Sequence, residues 1–171
     1  MTLEEIFYVS QTVASVAVVG SLIFVGLQVR GAERAQRAIM QQGRADRTSA
    51  ASLTLAQPDL ARIWRKGLAG DTDLTPDEFS QWMAMVRSAF LSGEDSFLQY
   101  KAGQLDQRAF DSYVAGATFF LAQPGMRAAW KVSAPQFGSD FRAFGDSLVA
   151  GVPTRNHADT YAAWREALGK P

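Results

Sequence analysis

Cysteine is absent from this chain, which removes disulfides, thiolate metal ligands and cysteine nucleophiles from consideration. Histidine is nearly absent. His157 stands alone, so neither a His-rich metal site nor a two-histidine metalloprotease helix is available. Net charge is missing as well: 17 basic residues balance 17 acidic ones, and no global field draws the chain to nucleic acid. No Gly-rich phosphate loop, Gly-x-Ser-x-Gly elbow or Ser/His/Asp constellation occurs. The most informative absence is local. No charged side chain lies between Ile6 and Val29, a run of 24 residues bracketed by Glu4 and Glu5 before it and Arg30 after it.

As a helix such a run is about 36 Å long, enough to cross a hydrocarbon core of about 30 Å with some tilt. A length of 171 residues leaves room for one such span and one small domain. Two other readings compete. A secretory signal peptide needs a basic leading region, a shorter apolar core and a small-residue cleavage site, whereas here the flank is acidic and the apolar run continues. A buried helix of a soluble core would accommodate Ser10, Gln11, Thr12, Ser15 and Ser21, but core helices seldom go uncharged for so long. A membrane span is the favoured reading. Arg30, Arg34, Arg37, Arg44 and Arg47 follow it, against only Glu33 and Asp46, so the positive-inside rule places the larger C-terminal part in the cytoplasm and the short N-terminus outside. Phe7 and Tyr8 sit where an interfacial aromatic belt belongs.

On a helical wheel with Ser10 at 0°, Ala14, Ala17, Ser21 and Gln28 fall within about 40° of it. The 4, 3, 4, 7 spacing is the seam of a left-handed helix pair. Association in lipid depends on close approach of small residues and on hydrogen bonds from Ser or Gln, and this face offers both. Val16, Val19 and Ile23 cover the opposite side. If the helix runs on, Ala32, Ala35 and Ile39 continue the seam, while Arg30, Arg34 and Arg37 lie opposite it. The expected partners are therefore other membrane protein subunits along the seam and anionic lipid near Arg30, with Arg30, Arg34 and Arg37 together as the lipid-headgroup or cytoplasmic anchor. Arg44 lies about 21 Å beyond Arg30 on an unbroken helix, well past a Debye length of about 8 Å. Unless the helix bends at Gly31 or Gly43, Arg44 and Arg47 serve something other than headgroups.

Residues 57–171 show no strand period and abundant helix punctuation. Gln57-Pro58-Asp59 restarts a helix to about Ala69, before Gly70. Thr75-Pro76-Asp77-Glu78 has the form of a capping box with proline in the first turn. Phe79, Trp82, Met83, Val86, Phe90, Phe97 and Tyr100 then trace one apolar face to Gly103. Asp106 is placed to cap a helix carrying Phe110, Tyr113, Val114, Ala117, Phe120 and Leu121, with Leu105 and Phe110 as a hydrophobic staple. Pro124 opens a short helix, another covers roughly 135–149, and Asn156 caps a last one through Trp164 and Leu168. The predicted fold class is all-α. One N-terminal transmembrane helix with a short flank (1–30) continues into a basic juxtamembrane helix (31–56), followed by a small cytoplasmic multi-helix bundle (57–171).

Residues suited to chemistry are few. Glu94 falls on or beside the apolar face of its helix and is expected to be a buried structural acceptor for Arg62, Arg65 or Arg127 rather than a general acid or base. A Glu-x-x-His di-iron pattern fails there, because Phe97 holds the histidine position. Asp71, Asp73, Asp77 and Glu78 resemble half of a calcium loop, but Pro76 replaces the turn glycine and Trp82 stands where the bidentate Glu belongs, so capping explains them better. His157 is read as a surface or capping residue. Trp64, Trp82, Trp130 and Trp164 read as core rather than a ligand box. The apolar run lacks a histidine to ligate haem or a related pigment. No catalytic residue, metal site or cofactor is expected.

The stretch from Ser21 to Arg30, the segment Asp59-Leu-Ala-Arg-Ile-Trp-Arg-Lys-Gly67, Glu94, Tyr100-Lys-Ala-Gly103, Gln123-Pro-Gly125 and Trp130 together resemble a family of small bacterial proteins with one N-terminal span and a helical domain. The resemblance covers most of residues 1–130. It implies the same architecture and a bacterial origin, which with the span gives a bacterial inner-membrane location as the expectation, and it carries no activity or catalytic residue. The leading expectation for function is a non-enzymatic accessory or assembly subunit of a larger membrane complex. A membrane-tethered ligand-binding or enzymatic domain, or a homodimer through the same seam, are the alternatives.

Overall fold

A computed structural model of the chain describes residues 2–155 and 157–169, with only the backbone described for Glu5, Val9, His157 and Ala158. The fold is all-α: a long apolar N-terminal helix followed by a bundle of six shorter helices. Helix α1 spans Leu3–Leu55; α2 is Pro58–Ala69, α3 Pro76–Lys101, α4 Gln107–Leu121, α5 Pro124–Ser133, α6 Ser139–Gly151 and α7 His157–Ala167. The chain divides into two compact units, Met1–Ser49 and Ala50–Pro171.

In the first unit, α1 passes through Gly31 and Gly43 without a break. Its apolar residues are open: Val16 is 68% exposed and Leu22 67% exposed. None of the most apolar window is buried, whereas a helix of a soluble core hides its apolar side chains. One helix near the N-terminus is therefore a candidate membrane span by length and composition.

The second unit is built by local signals and then by close helix contacts. Helix α2 ends on Gly70 in the left-handed region (φ 75°), with the Gly70 and Asp71 amides donating to the carbonyls of Gly67 and Lys66. The capping box of α3 is complete. The Glu78 amide donates to Thr75 Oγ1 (3.2 Å) and the Thr75 amide donates to Glu78 Oε2 (3.0 Å). Asp106 accepts from the Ala109 amide at 2.8 Å, and the flanking Leu105 and Phe110 are both buried as the staple requires.

Glu78 also pairs with Arg62 of α2. The Thr75 amide bond first, and the Arg62 guanidinium second, hold its carboxyl below the usual carboxylate range. A depressed folded-state pKa stabilises above the unfolded value of about 4.3, and that contribution is lost as pH falls through the folded value. In thermal unfolding of the full chain, Glu78→Gln should therefore melt lower than the parent at neutral pH. The two curves should converge as pH drops below about 4.

Tryptophan rings laid on glycines bring the helices together. Trp82 of α3 lies against Gly67 of α2, where a Cβ would stand 2.2 Å from the ring; Trp130 of α5 lies against Gly145 of α6, where the distance would be 2.3 Å. Gly125, at the start of α5, abuts the end of α2 so closely that a Cβ would sit 1.6 Å from the Gly67 carbonyl oxygen. Around these crossings the core collects Ile63, Leu68, Val86, Phe90, Phe97, Phe137 and Phe141.

Three expectations are corrected. The predicted helix over 135–149 does not start at Pro135: a 3-10 turn (Ala134–Gln136) gives way to extended Phe137, and α6 begins after Gly138. The cause is the Phe137 ring, which is buried with centroids 6.1 Å from Phe90 and 5.9 Å from Trp130. Phe79 and Phe120, assigned to apolar faces, are 49% and 39% exposed. Trp64, Trp82 and Trp130 join the core or pack on it, but Trp164 is 57% exposed and stacks on Tyr161, at 5.7 Å. Asn156, the expected cap of α7, and the side chain of His157 lie outside the described residues.

Candidate functional site

Among the described residues no three His, Cys, Asp or Glu side chains converge on a point that would hold a metal ion. The acidic stretch read as half of a calcium loop is occupied otherwise, with Asp73 within 3.2 Å of Lys66 Nζ and Glu78 engaged in the capping box. Glu94 is half-buried rather than buried, and its partner is not an arginine. Glu94 Oε1 accepts from the Gly138 amide at 2.9 Å, while Arg62 pairs with Glu78 and Arg127 donates to the Val152 carbonyl. Glu94 thereby satisfies the backbone where the chain breaks helix to bury Phe137. It is a structural acceptor for a turn, and the sequence signal for it is the Gly138 that follows Pro135 and Phe137.

The remaining candidate is the face of α1. Ser10, Ala14, Ala17, Ser21, Gln28, Ala32, Ala35 and Ile39 are all exposed, and the uninterrupted helix puts them on one side over about 44 Å. Hydroxyl chemistry on this helix is largely internal. Ser10, Thr12, Ser15 and Ser21 donate to the carbonyls of Ile6, Tyr8, Gln11 and Ala17 at 2.8–2.9 Å. Such back-bonding satisfies the hydroxyl protons within the helix, so Thr12 and Ser15, off the seam, can face an apolar solvent without an orphaned donor. On the seam, Ser10 and Ser21 keep only acceptor lone pairs for a neighbour. The Gln28 amide makes no hydrogen bond among the described residues, so both its donor and its acceptor groups remain open on that face.

The opposite side divides in two. Val16, Val19 and Ile23 are 57–68% exposed. Beyond them Arg30, Arg34 and Arg37 are exposed and Arg44 is half-buried, and these four form no ion pair among the described residues. Phe7 and Tyr8, at the other end, meet edge to face at 5.9 Å and remain 63% and 60% exposed.

The class of protein this defines is an all-α chain with a single long apolar helix ahead of a small helical domain. No known protein family, curated protein or solved structure matches it, and the likeness to small bacterial single-span proteins therefore identifies no family.

Proposed function

We propose that this protein is a non-enzymatic accessory or assembly subunit of a larger bacterial inner-membrane complex, of respiratory, photosynthetic or transport type. In this reading α1 crosses the membrane once, with the N-terminus outside and the helical domain in the cytoplasm, as the acidic leading flank and the arginines after Val29 favour. The observation that carries the proposal is the seam. Eight residues from Ser10 to Ile39 stay uncovered on one face of an unbroken helix, while the bundle completes a core of its own. In lipid, small residues let a second helix backbone approach, and an open Gln28 amide favours a polar neighbour. Anionic headgroups are the counterpart of Arg30 at the cytoplasmic edge. A different subunit suits the seam better than a second copy, because Asp46 falls at about 0° on the same wheel and parallel copies would set two carboxylates face to face.

Replacing Ala14, Ala17 and Ser21 together with leucine tests the reading. The full chain should remain in the membrane fraction, because the change adds apolar surface. It should migrate on native gels as an isolated protein rather than with the complex that retains the parent after gentle detergent extraction. Unchanged co-migration of the triple variant would contradict docking through this face.

A further inference from the structure

We propose that the arginine stripe of α1 beyond the apolar run, Arg37 and Arg44 above all, docks on an acidic surface of another polypeptide rather than on lipid headgroups. This rests on the membrane reading above and adds a second contact on the side of the helix away from the seam. Arg30, Arg34, Arg37 and Arg44 follow a 4, 3, 7 spacing, which keeps them within about 80° of each other on the helix. Lipid accounts for the first two, which lie close to the end of the apolar run. It does not account for Arg44. The helix continues unbroken through Gly31 and Gly43, so Arg44 stands about 21 Å past Arg30, more than twice the Debye length of about 8 Å at physiological salt.

Helix stability points the same way. Like charges three and four residues apart repel on a helix surface, and Gly31 and Gly43 both lower its intrinsic stability. Among the described residues, no carboxylate lies within ion-pair distance of Arg30, Arg34, Arg37 or Arg44, although Glu33 and Asp46 are near in sequence. Carboxylates brought by a partner would relieve this repulsion, which water and salt only screen. At that height above the bilayer, a run of Asp and Glu side chains at helical spacing supplies the complementary charge, and guanidinium–carboxylate pairs are its strongest form.

The test uses the full chain in its native membranes with Arg44→Lys, which keeps the charge and puts an amine into a stretch that holds no lysine before Lys66. A zero-length carbodiimide then joins the introduced amine only to a carboxylate in direct contact. The expected result is a crosslinked peptide between position 44 and an Asp or Glu of a different polypeptide, with a yield that falls several-fold when salt is raised to 1 M before activation. Crosslinks confined to Glu33 or Asp46, from the same or a second copy, would overturn the proposal. So would an amine at position 44 left uncrosslinked and freely open to amine-labelling reagents. Equal protection of that amine in vesicles of anionic lipid holding only the purified chain would assign the stripe to lipid, and also overturns it. Failure of this inference alone leaves the chain co-migrating with its complex while position 44 finds no carboxylate; failure of the broader reading leaves no complex or no membrane association at all.

Discussion

Gly125→Ala should abolish cooperative unfolding of the helical bundle, or lower its stability by more than about 3 kcal/mol. A Cβ at this position would stand 1.6 Å from the Gly67 carbonyl oxygen, 2.7 Å from the Gly67 carbonyl carbon and 3.1 Å from the Leu68 carbonyl oxygen. All three obstacles are backbone, so no rotamer change relieves them; α2 and α5 would have to separate. Separation is costly because Gly67 is held from both sides. Its carbonyl also accepts the Gly70 amide at 3.1 Å, and its own missing Cβ leaves room for the Trp82 ring. Against a typical domain stability of about 5–15 kcal/mol, one methyl group here is enough to threaten the fold. Gly116→Ala in α4 is the matched control. A Cβ there meets nothing within 4 Å, so it should stabilise by about 0.5–1 kcal/mol through helix propensity alone. Circular dichroism melts of both variants measure the contrast.

Trp130→Ala should cost about 3–5 kcal/mol, the range for deleting a buried aromatic side chain. Trp130 is 3% exposed, and its ring centroid lies 5.1 Å from Phe90, 5.7 Å from Phe141 and 5.9 Å from Phe137. The deletion also vacates the seat on Gly145 that joins α5 to α6, and it removes the hydrogen bond that Trp130 Nε1 donates to Asp146 Oδ1 at 2.8 Å, leaving that exposed carboxylate to water. Trp130→Phe separates the two contributions. It retains most of the apolar contact but removes the donor, and should cost about 1–3 kcal/mol, less than the alanine variant. Equilibrium denaturation of the two variants checks the order. Equal losses would mean that the indole N–H, and not the packing, governs this part of the core.

These positions are hard to read from the sequence for a definite reason. Starts and stops are local, so Gly70, the Thr75–Glu78 box and the Leu105–Phe110 staple can be placed from a few neighbouring residues. Which glycine receives which tryptophan depends on helices that are separate in the chain, as Gly67 and Trp82, or Trp130 and Gly145, show. A helical period reveals which side chains share a face but not where the neighbours end. Phe79 shares the period of the α3 face yet stays 49% exposed. The break at Phe137 and Gly138 is hidden because a tertiary gain, the burial of one ring, overrides a sequence with a proline suited to starting a helix. The seam on α1 is legible for the opposite reason, since all of it belongs to one helix.

In the proposed function, the apolar run of α1 turns one side to a protein partner and the other to lipid. The absence of cysteine allows single cysteines to be placed along it and labelled with a thiol-specific benzophenone in the gently extracted, affinity-purified assembly. Illumination should yield protein adducts of a single partner from positions 14, 17 and 21, and detergent or lipid adducts from 16, 19 and 23. Protein adducts distributed evenly around the helix, or strongest at Val16, Val19 and Ile23, would contradict it.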